Sequence, residues 1–342
     1  MNVAVNLDAW AMDVPGPVID ALARGREVLV VSHENPDADT LGAALGIRAI
    51  LASRGALVTL VCTDVAPPLY AFLPGIEDFR LDPDEAVTYD LLVIVDCGSL
   101  DRVGAVRERH PDLFAALPSV VIDHHASNGA AGASDWVEPS AAATCEMVAL
   151  VATAFRTPLD VNGGAMAAAL MAGIIMDTAT FAHPNATSRT LAVAAALVEA
   201  GAPLSEISRL LYRSKPGTQL RLFGRVLDRL ATSADGLVVY STLTLADIAD
   251  IGALSSHSEG IIDLLSQAED AEVAVLFKEA GPTTTRISVR TRPGGVDATV
   301  LTGIFGGGGH ARAAGASVAT NATEARTSVL READRLALAV RR

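Results

Sequence analysis

Four short, unbroken apolar runs constrain the fold more than any other feature of this chain. They are Glu27 to Ser32 (EVLVVS), Leu57 to Cys62 (LVTLVC), Leu91 to Cys97 (LLVIVDC) and Val120 to Asp123 (VVID). Continuous apolar runs of strand length suit strands covered on both faces, whereas half-exposed strands alternate. Helix-like segments separate the runs, as in Thr40 to Ser53, with Gly55 placed as a C-terminal stop. Strand, helix, strand, repeated, predicts an α/β fold with a doubly wound parallel sheet.

In such sheets ligands bind beyond the carboxyl ends of the strands, and there the chain places Asp and His. His33, Asp37 and Asp39 follow the first run, Asp96 closes the third, and Asp123-His124-His125 end the fourth. Asp177 stops a further apolar stretch, Gly163 to Met176. Pro36 breaks regular structure after the first run, so one tight loop offers an imidazole and two carboxylates. An Asp there could simply cap the following helix. An ionised Asp96 buried without a partner would cost several kcal/mol, so it calls for a cation. Consecutive histidines in extended geometry point opposite ways, which lets one ligate while its neighbour faces substrate or supports the ligands. Hard oxygen and imidazole ligands suit a pair of divalent ions, manganese or magnesium, and indicate a metal-dependent hydrolase. Cys62, Cys97 and Cys145 show no CxxC pairing and read as free thiols.

The second half has a different texture. Ala141 to about Leu230 is rich in Ala and Leu and reads as helical, with Tyr212 to Thr218 (YRSKPGT) as a linker or helix boundary. Alternating strands follow at Leu237 to Leu243, Glu272 to Lys278 and Thr285 to Thr291, with helices at Ser258 to Ala268 and Thr323 to Val340. A smaller mixed sheet is the expectation. The division read from the sequence is residues 1–212 as a metal-binding domain with a helical extension, 213–234 as linker, and 235–342 as a substrate-binding domain. Gly306 to Gly309 leave backbone N–H groups unobstructed for a phosphate, and His310 adds a donor. Arg290 could pair with a phosphate or stack on a base; Arg189 and His183 are further contacts by position.

At 342 residues the chain exceeds what one core usually serves, and a hydrophobic share of 50% with 19% charged residues argues against disorder. The net charge of −14 disfavours long duplex DNA and leaves a small anionic substrate held by a few specific groups. Asp8 and Asp13 interrupt any signal-peptide core, and Gly163 to Met176 is shorter than the roughly 20 residues of a membrane helix. The expectation is a cytoplasmic protein without membrane contact.

The ordered conjunction of HxxxDxD, strand-end Asp, Asp-His-His and a helix Asp resembles the DHH phosphoesterase superfamily. FGGGGHARAAG, Phe305 to Gly315, resembles the glycine-rich motif of its DHHA1 subfamily. Likeness is greatest to the NrnA-like group of oligoribonucleases and 3′,5′-bisphosphonucleotide phosphatases. The resemblance implies that His33, Asp37 and Asp96 hold one manganese, and that Asp39, Asp96, His124 and Asp177 hold the other. It further implies that His125 faces the scissile phosphate and Asp123 orients the histidines, while Gly307, Gly308, Gly309 and His310 of the matched motif, with Arg290 by its strand position, are the residues expected to meet the substrate. A homodimer hydrolysing short RNA and linear or cyclic dinucleotides, by attack of a hydroxide shared between the metals, is the implied activity. Alternatives are a 3′-phosphatase acting on adenosine 3′,5′-bisphosphate and an inactive nucleotide sensor. One departure stands out: many relatives carry Thr-Gly after the helix Asp, where this chain has Thr178-Ala179.

Overall fold

The computed structural model describes residues 5–129 and 132–341, and the chain divides into two compact units, Met1–Ser214 and Lys215–Arg342. In the first unit the strands are β1 (Glu27–Val31), β2 (Leu57–Val61), β3 (Leu91–Val95), β4 (Ser119–Asp123) and β5 (Trp136–Val137). All pair in parallel, in the order β2-β1-β3-β4-β5. β1 thus lies between β2 and β3, so the connections leave it toward opposite edges, and the crevice of a doubly wound sheet opens beyond β1 and β3.

The four expected strands are all present, and the first three end one or two residues early. β3 stops at Val95 because Asp96 turns into the left-handed region, with φ 57°. One face of the sheet packs against the helices Ala38–Ser53, Thr144–Ala154 and Ala165–Thr178, and the other against the short helices Ala105–Arg109 and Pro111–Ala116. The two apolar helices Thr144–Ala154 and Ala165–Thr178 are core elements. Among the described residues no single helix is long and apolar enough to cross a membrane. Helices Ala38–Ser53 and Ala165–Thr178 touch backbone to backbone: a Cβ on Gly42 would fall 2.4 Å from the Ala169 carbonyl. That close approach sets Asp39 beside Gly173, with its carboxylate at the start of the helix Thr144–Ala154.

The second unit is a six-stranded mixed sheet. Its strands are β6 (Ala231–Thr232), β7 (Val238–Leu243), β8 (Val273–Gly281), β9 (Thr284–Thr291), β10 (Gly308–His310) and β11 (Ala313–Val318), in the order β10-β11-β9-β8-β7-β6. β7 and β8 are parallel, and the other pairs are antiparallel. The helix Ala322–Val340 packs on one face. Residues 213–234, expected as a linker, contain the helix Gly217–Leu227, whose Leu222, Phe223 and Val226 are buried in this unit's second core. The i, i+3, i+4, i+7 spacing of Gln219, Leu222, Phe223 and Val226 makes one buried stripe, so this stretch is structure and not a tether.

Candidate functional site

Every Asp and His singled out at the strand ends converges at the crevice of the first unit. Three overlapping groups have ligand atoms within 4.8 Å of one another: His33, Asp37 and Asp96; Asp39, His124 and Asp177; and Asp96, His124 and His125.

Each side chain is aimed by a specific neighbour. Asp37 caps the helix Ala38–Ser53 through Oδ1, which accepts from the Asp39 and Thr40 amides, while Oδ2 stands 3.8 Å from His33 Nε2. Capping thus occupies one oxygen of Asp37 and leaves the other facing His33. Asp39 is fully buried and accepts the Thr144 amide at 2.7 Å and the Cys145 amide at 2.9 Å, the first free N–H groups of the helix Thr144–Ala154. Gly173 makes room for it, since a Cβ there would fall 2.5 Å from Asp39 Oδ1. His33 gives Nδ1–H to the Glu34 carbonyl at 2.7 Å, which turns Nε2 toward Asp96 at 3.5 Å. The Arg102 guanidinium 3.3 Å from the same Nδ1 is a neighbouring cation and not a second partner, because that nitrogen's proton is already committed. His124 uses Nδ1 on the Ala141 carbonyl, leaving Nε2 3.2 Å from Asp177, 3.6 Å from Asp96 and 3.9 Å from Asp39.

His125 is built differently. Its Nδ1 lies 2.7 Å from Asp123 Oδ1, and Asn128 donates to Asp123 Oδ2 at 2.7 Å and to the Cys97 carbonyl at 2.9 Å. The two adjacent histidines do not point to opposite sides: their ring centroids are 4.7 Å apart, and both rings approach Asp96 Oδ1. β4 ends at Asp123, so strand alternation no longer governs them. They are distinguished instead by which nitrogen faces the carboxylates.

Crowding shows in the proton affinities. Burial and the neighbouring Asp177 push Asp39 up to about 7, and burial with Asp39 and Asp37 pushes Asp96 well above the carboxylate range. Asp177 is raised as well, chiefly by burial. Burial alone would depress His124, but the Asp177 and Asp39 carboxylates lift it to about 9, whereas in His33 burial wins and lowers the imidazole. Asp123 is buried too, yet hydrogen bonds from His125 and Asn128 hold it below its ordinary value. Four gathered carboxylates with imidazole Nε2 atoms among them form a hard donor set that bound divalent cations would neutralise, so the residues fit such ions. Asp96, in its left-handed backbone conformation, belongs to two of the three groups.

Sequence reasoning missed three supports. Thr144 Oγ1 donates to Asp96 at 3.0 Å, Asn128 holds Asp123, and the fully buried Glu146 accepts from the Ala142 amide beside the carbonyl that orients His124. A Thr opening a helix after the small-residue run SAAA was the available signal for Thr144. Arg189 is not positioned for substrate: it ion-pairs with Glu146 at 2.5 Å, with Thr190 sharing that carboxylate. His183 is exposed and rests on the Asp177 carbonyl at 3.1 Å. The Thr178-Ala179 departure appears as three successive left-handed residues, Ala179, Thr180 and Phe181, with the Thr180 amide closing on the Ile175 carbonyl. Ala179 thus takes a conformation that glycine enters without strain. The three cysteines are free and buried; burial pushes Cys62 to about 11 and raises Cys97 and Cys145 well above the ordinary thiol value, which keeps them as inert thiols.

In the second unit the glycine motif is a hairpin strand and not an open loop. Gly308, Gly309 and His310 pair with Gly315, Ala314 and Ala313. A Cβ on Gly307 would meet the Gly315 carbonyl at 2.2 Å, and one on Gly309 would meet the Ala313 carbonyl at 2.6 Å, so those two glycines serve the hairpin's own packing. A Cβ on Gly308 would meet nothing within 4 Å. His310 is exposed beside it, and Arg290 is tied to Asp263 at 3.0 Å, its side chain about a third exposed.

A doubly wound sheet with an Asp/His cluster at its switch point, followed by a unit bearing a glycine–histidine hairpin, defines a class that the comparisons name. Residues 27–174 match the DHH family, N-terminal domain, and residues 236–337 match the DHHA1 domain. The bifunctional oligoribonuclease and PAP phosphatase NrnA of Thermus thermophilus is 32% identical over 298 residues, 85% of this chain and 84% of that protein. The protein of the same name from Bacillus subtilis is 26% identical over 85% of this chain and 89% of its own length. The chain belongs to this DHH–DHHA1 family. A solved exopolyphosphatase-related protein from Bacteroides fragilis shares the fold, with a TM-score of 0.84, 22% identity, and coverage of 96% of this chain and 98% of that one.

Proposed function

We propose that this protein is a dimetal phosphodiesterase that hydrolyses short oligoribonucleotides and dinucleotides to mononucleotides, with manganese as the working ion. The observation that carries the reading is the convergence of His33, Asp37, Asp39, His124 and Asp177 around the shared, strained Asp96. The oligoribonuclease named in its relatives points to the same chemistry. Bound between these groups, two divalent cations would offset the carboxylate charge, polarise a phosphodiester and acidify a water. His33 and Asp37 would hold one ion, Asp39, His124 and Asp177 the other, with Asp96 bridging.

The chain's own residues supply the rest. Nδ1 of His125 is committed to Asp123, so Nε2 is the atom free to pass a proton to the departing ribose oxygen. Gly98 leaves the ring its room, since a Cβ there would crowd His125 at 3.2 Å. Asp123, kept ionised by its two donors, holds the imidazole's tautomer. In the second unit, Gly308 and His310 with Arg290 would receive the substrate's phosphate or base, and Arg290 would share its charge with Asp263.

A panel of linear dinucleotides, cyclic dinucleotides, longer RNAs and adenosine 3′,5′-bisphosphate, each with manganese and then with chelator, tests the reading. Fast, chelator-sensitive release of mononucleotides from the linear dinucleotide is expected. Equal rates on long and short RNA would remove size selection, and no turnover on any member would remove the reading itself. The names of the relatives also carry a PAP phosphatase, and the bisphosphate member of the panel ranks that second activity against the first.

A further inference from the structure

The open part of the second unit's sheet carries a cationic strip that extends the glycine hairpin. Residues two apart on a strand share a face, so Arg286, Ser288 and Arg290 of β9 lie in one row. Register places their neighbours. Arg286 has Lys278 of β8 on one side and Ser317 of β11 on the other; Ser288 faces Gly315, which faces Gly308; Arg290 faces Ala313, which faces His310. Farther across the sheet this same face is covered, with Ala274 and Leu276 buried beneath apolar side chains. Along β9, β11 and β10 the row is half-buried or exposed, and its floor is made of Gly, Ala and Ser. Backbone there is accessible to a ligand lying flat.

The Lys278–Arg286 pair sets two like charges directly opposite each other in an antiparallel ladder, an arrangement that costs stability. Arg286 is exposed and makes no hydrogen bond or ion pair among the described residues. Burial and the Arg286 charge both lower the Lys278 ammonium, and Glu259 is the carboxylate that opposes them. In a chain of net charge −14, two adjoining cations on an open floor of small residues mark a place for a bound anion.

We propose that Lys278 and Arg286 form a second phosphate subsite, four residues along β9 from Arg290, that engages oligoribonucleotides longer than two residues. At about 3.3 Å per residue the two ends of the strip lie roughly 13 Å apart. Successive phosphates of a stacked strand advance about 3.4 Å, so a chain of several nucleotides reaches both ends and a dinucleotide occupies one. The subsite rests on the phosphodiesterase reading above and deepens it: it sets how the enzyme ranks substrates by length.

Steady-state hydrolysis of a diribonucleotide and a pentaribonucleotide, with manganese, by the unaltered protein, R286Q, the K278Q/R286Q double variant and R286K tests this. Loss of charge-assisted contacts should raise KM for the pentamer about tenfold in the double variant, shift KM for the dimer less than twofold, and leave R286K close to the unaltered protein. Anisotropy of a labelled pentaribonucleotide in chelator gives an independent readout, with the slope of log affinity against log salt shallower by roughly 0.7 to 1.4 in the double variant. Equal KM changes on both substrates, or no change on either, overturn the subsite. If the unaltered protein cleaves neither RNA, the phosphodiesterase reading fails, and an unchanged salt slope then overturns the subsite by itself.

Discussion

The Asp/His centre of the first unit and the hairpin strip of the second are organised in opposite ways. In the centre, side chains are buried or half-buried and each is pinned by a donor or acceptor that leaves one atom facing inward: Asp37 by its own helix, Asp39 by the Thr144 and Cys145 amides, His33 and His124 by backbone carbonyls. On the strip, Arg286 and His310 are exposed, and small residues lie between them. Under the proposed function the contrast follows from the ligand. Small hard cations require several oxygens brought together against their mutual repulsion, which only a rigid surround can do. A nucleotide chain requires access, and long cations over a flat floor adapt to it at little cost.

The largest expected effect lies in the centre. Asp96→Asn removes the carboxylate common to two of the groups and should lower kcat by about a thousandfold, the ~4 kcal/mol scale of Lewis-acid stabilisation. The fold should survive, because the substitution removes a buried charge, and circular dichroism with single-turnover kinetics would establish both points. An undiminished rate would exclude Asp96 and break the contrast at its strongest point. Next, His125→Ala should cost about 10²- to 10⁴-fold in kcat with metal content unchanged, as measured by kinetics and elemental analysis. Loss of bound metal would instead make His125 a ligand.

Charge crowding at the centre sets how stability varies with pH. A carboxyl raised to about 7, as in Asp39, stays protonated in the folded chain while the unfolded chain ionises near 3.8. Its stabilisation is complete below that value and gone above about 7. His124, raised from 6.5 to about 9, contributes fully below its ordinary value and loses that contribution as pH rises through about 9. Both slopes have one sign, while the lowered His33 works the other way as pH falls below its ordinary value. The thermal midpoint of metal-stripped protein should therefore fall from acid to alkaline pH relative to manganese-loaded protein. A gap independent of pH, read by scanning fluorimetry, would remove the crowding account.

The smallest effects separate the glycines. Gly307→Ala forces a Cβ to 2.2 Å from the Gly315 carbonyl and should destabilise the second unit by about 1 to 3 kcal/mol. Gly308→Ala meets nothing and should leave stability within about 0.5 kcal/mol while raising KM. Chemical denaturation beside steady-state kinetics distinguishes them. Equal destabilisation would turn Gly308 from a contact surface into a packing residue.

Much of the first unit was legible because its signals are local. Apolar runs of strand length, Gly55 in the left-handed region behind a helix, and polar residues at each strand end lie within a few positions of the structure they specify. What escaped was weak or distant. β5 is two residues long and has no pattern to read. The hairpin of glycines carries almost no strand propensity and is held by backbone register. Arg189 looked available because its partner, Glu146, lies 43 positions away.

By itself, the order of residues determined that hydrophobic strands would bury in parallel, and that His33, Asp96 and the Asp123–His125 run would emerge together at one edge of the sheet. Periodicity and turn chemistry act over a few residues and need no knowledge of the rest of the chain. Only the tertiary structure decided which atom of each residue faces the centre. The Thr144 amide reaches Asp39 across 105 positions, and it does so because Gly42 and Gly173 let the helices close to backbone distance. Such contacts are set by packing in three dimensions, where the direction of a lone pair depends on neighbours that the linear order keeps far apart.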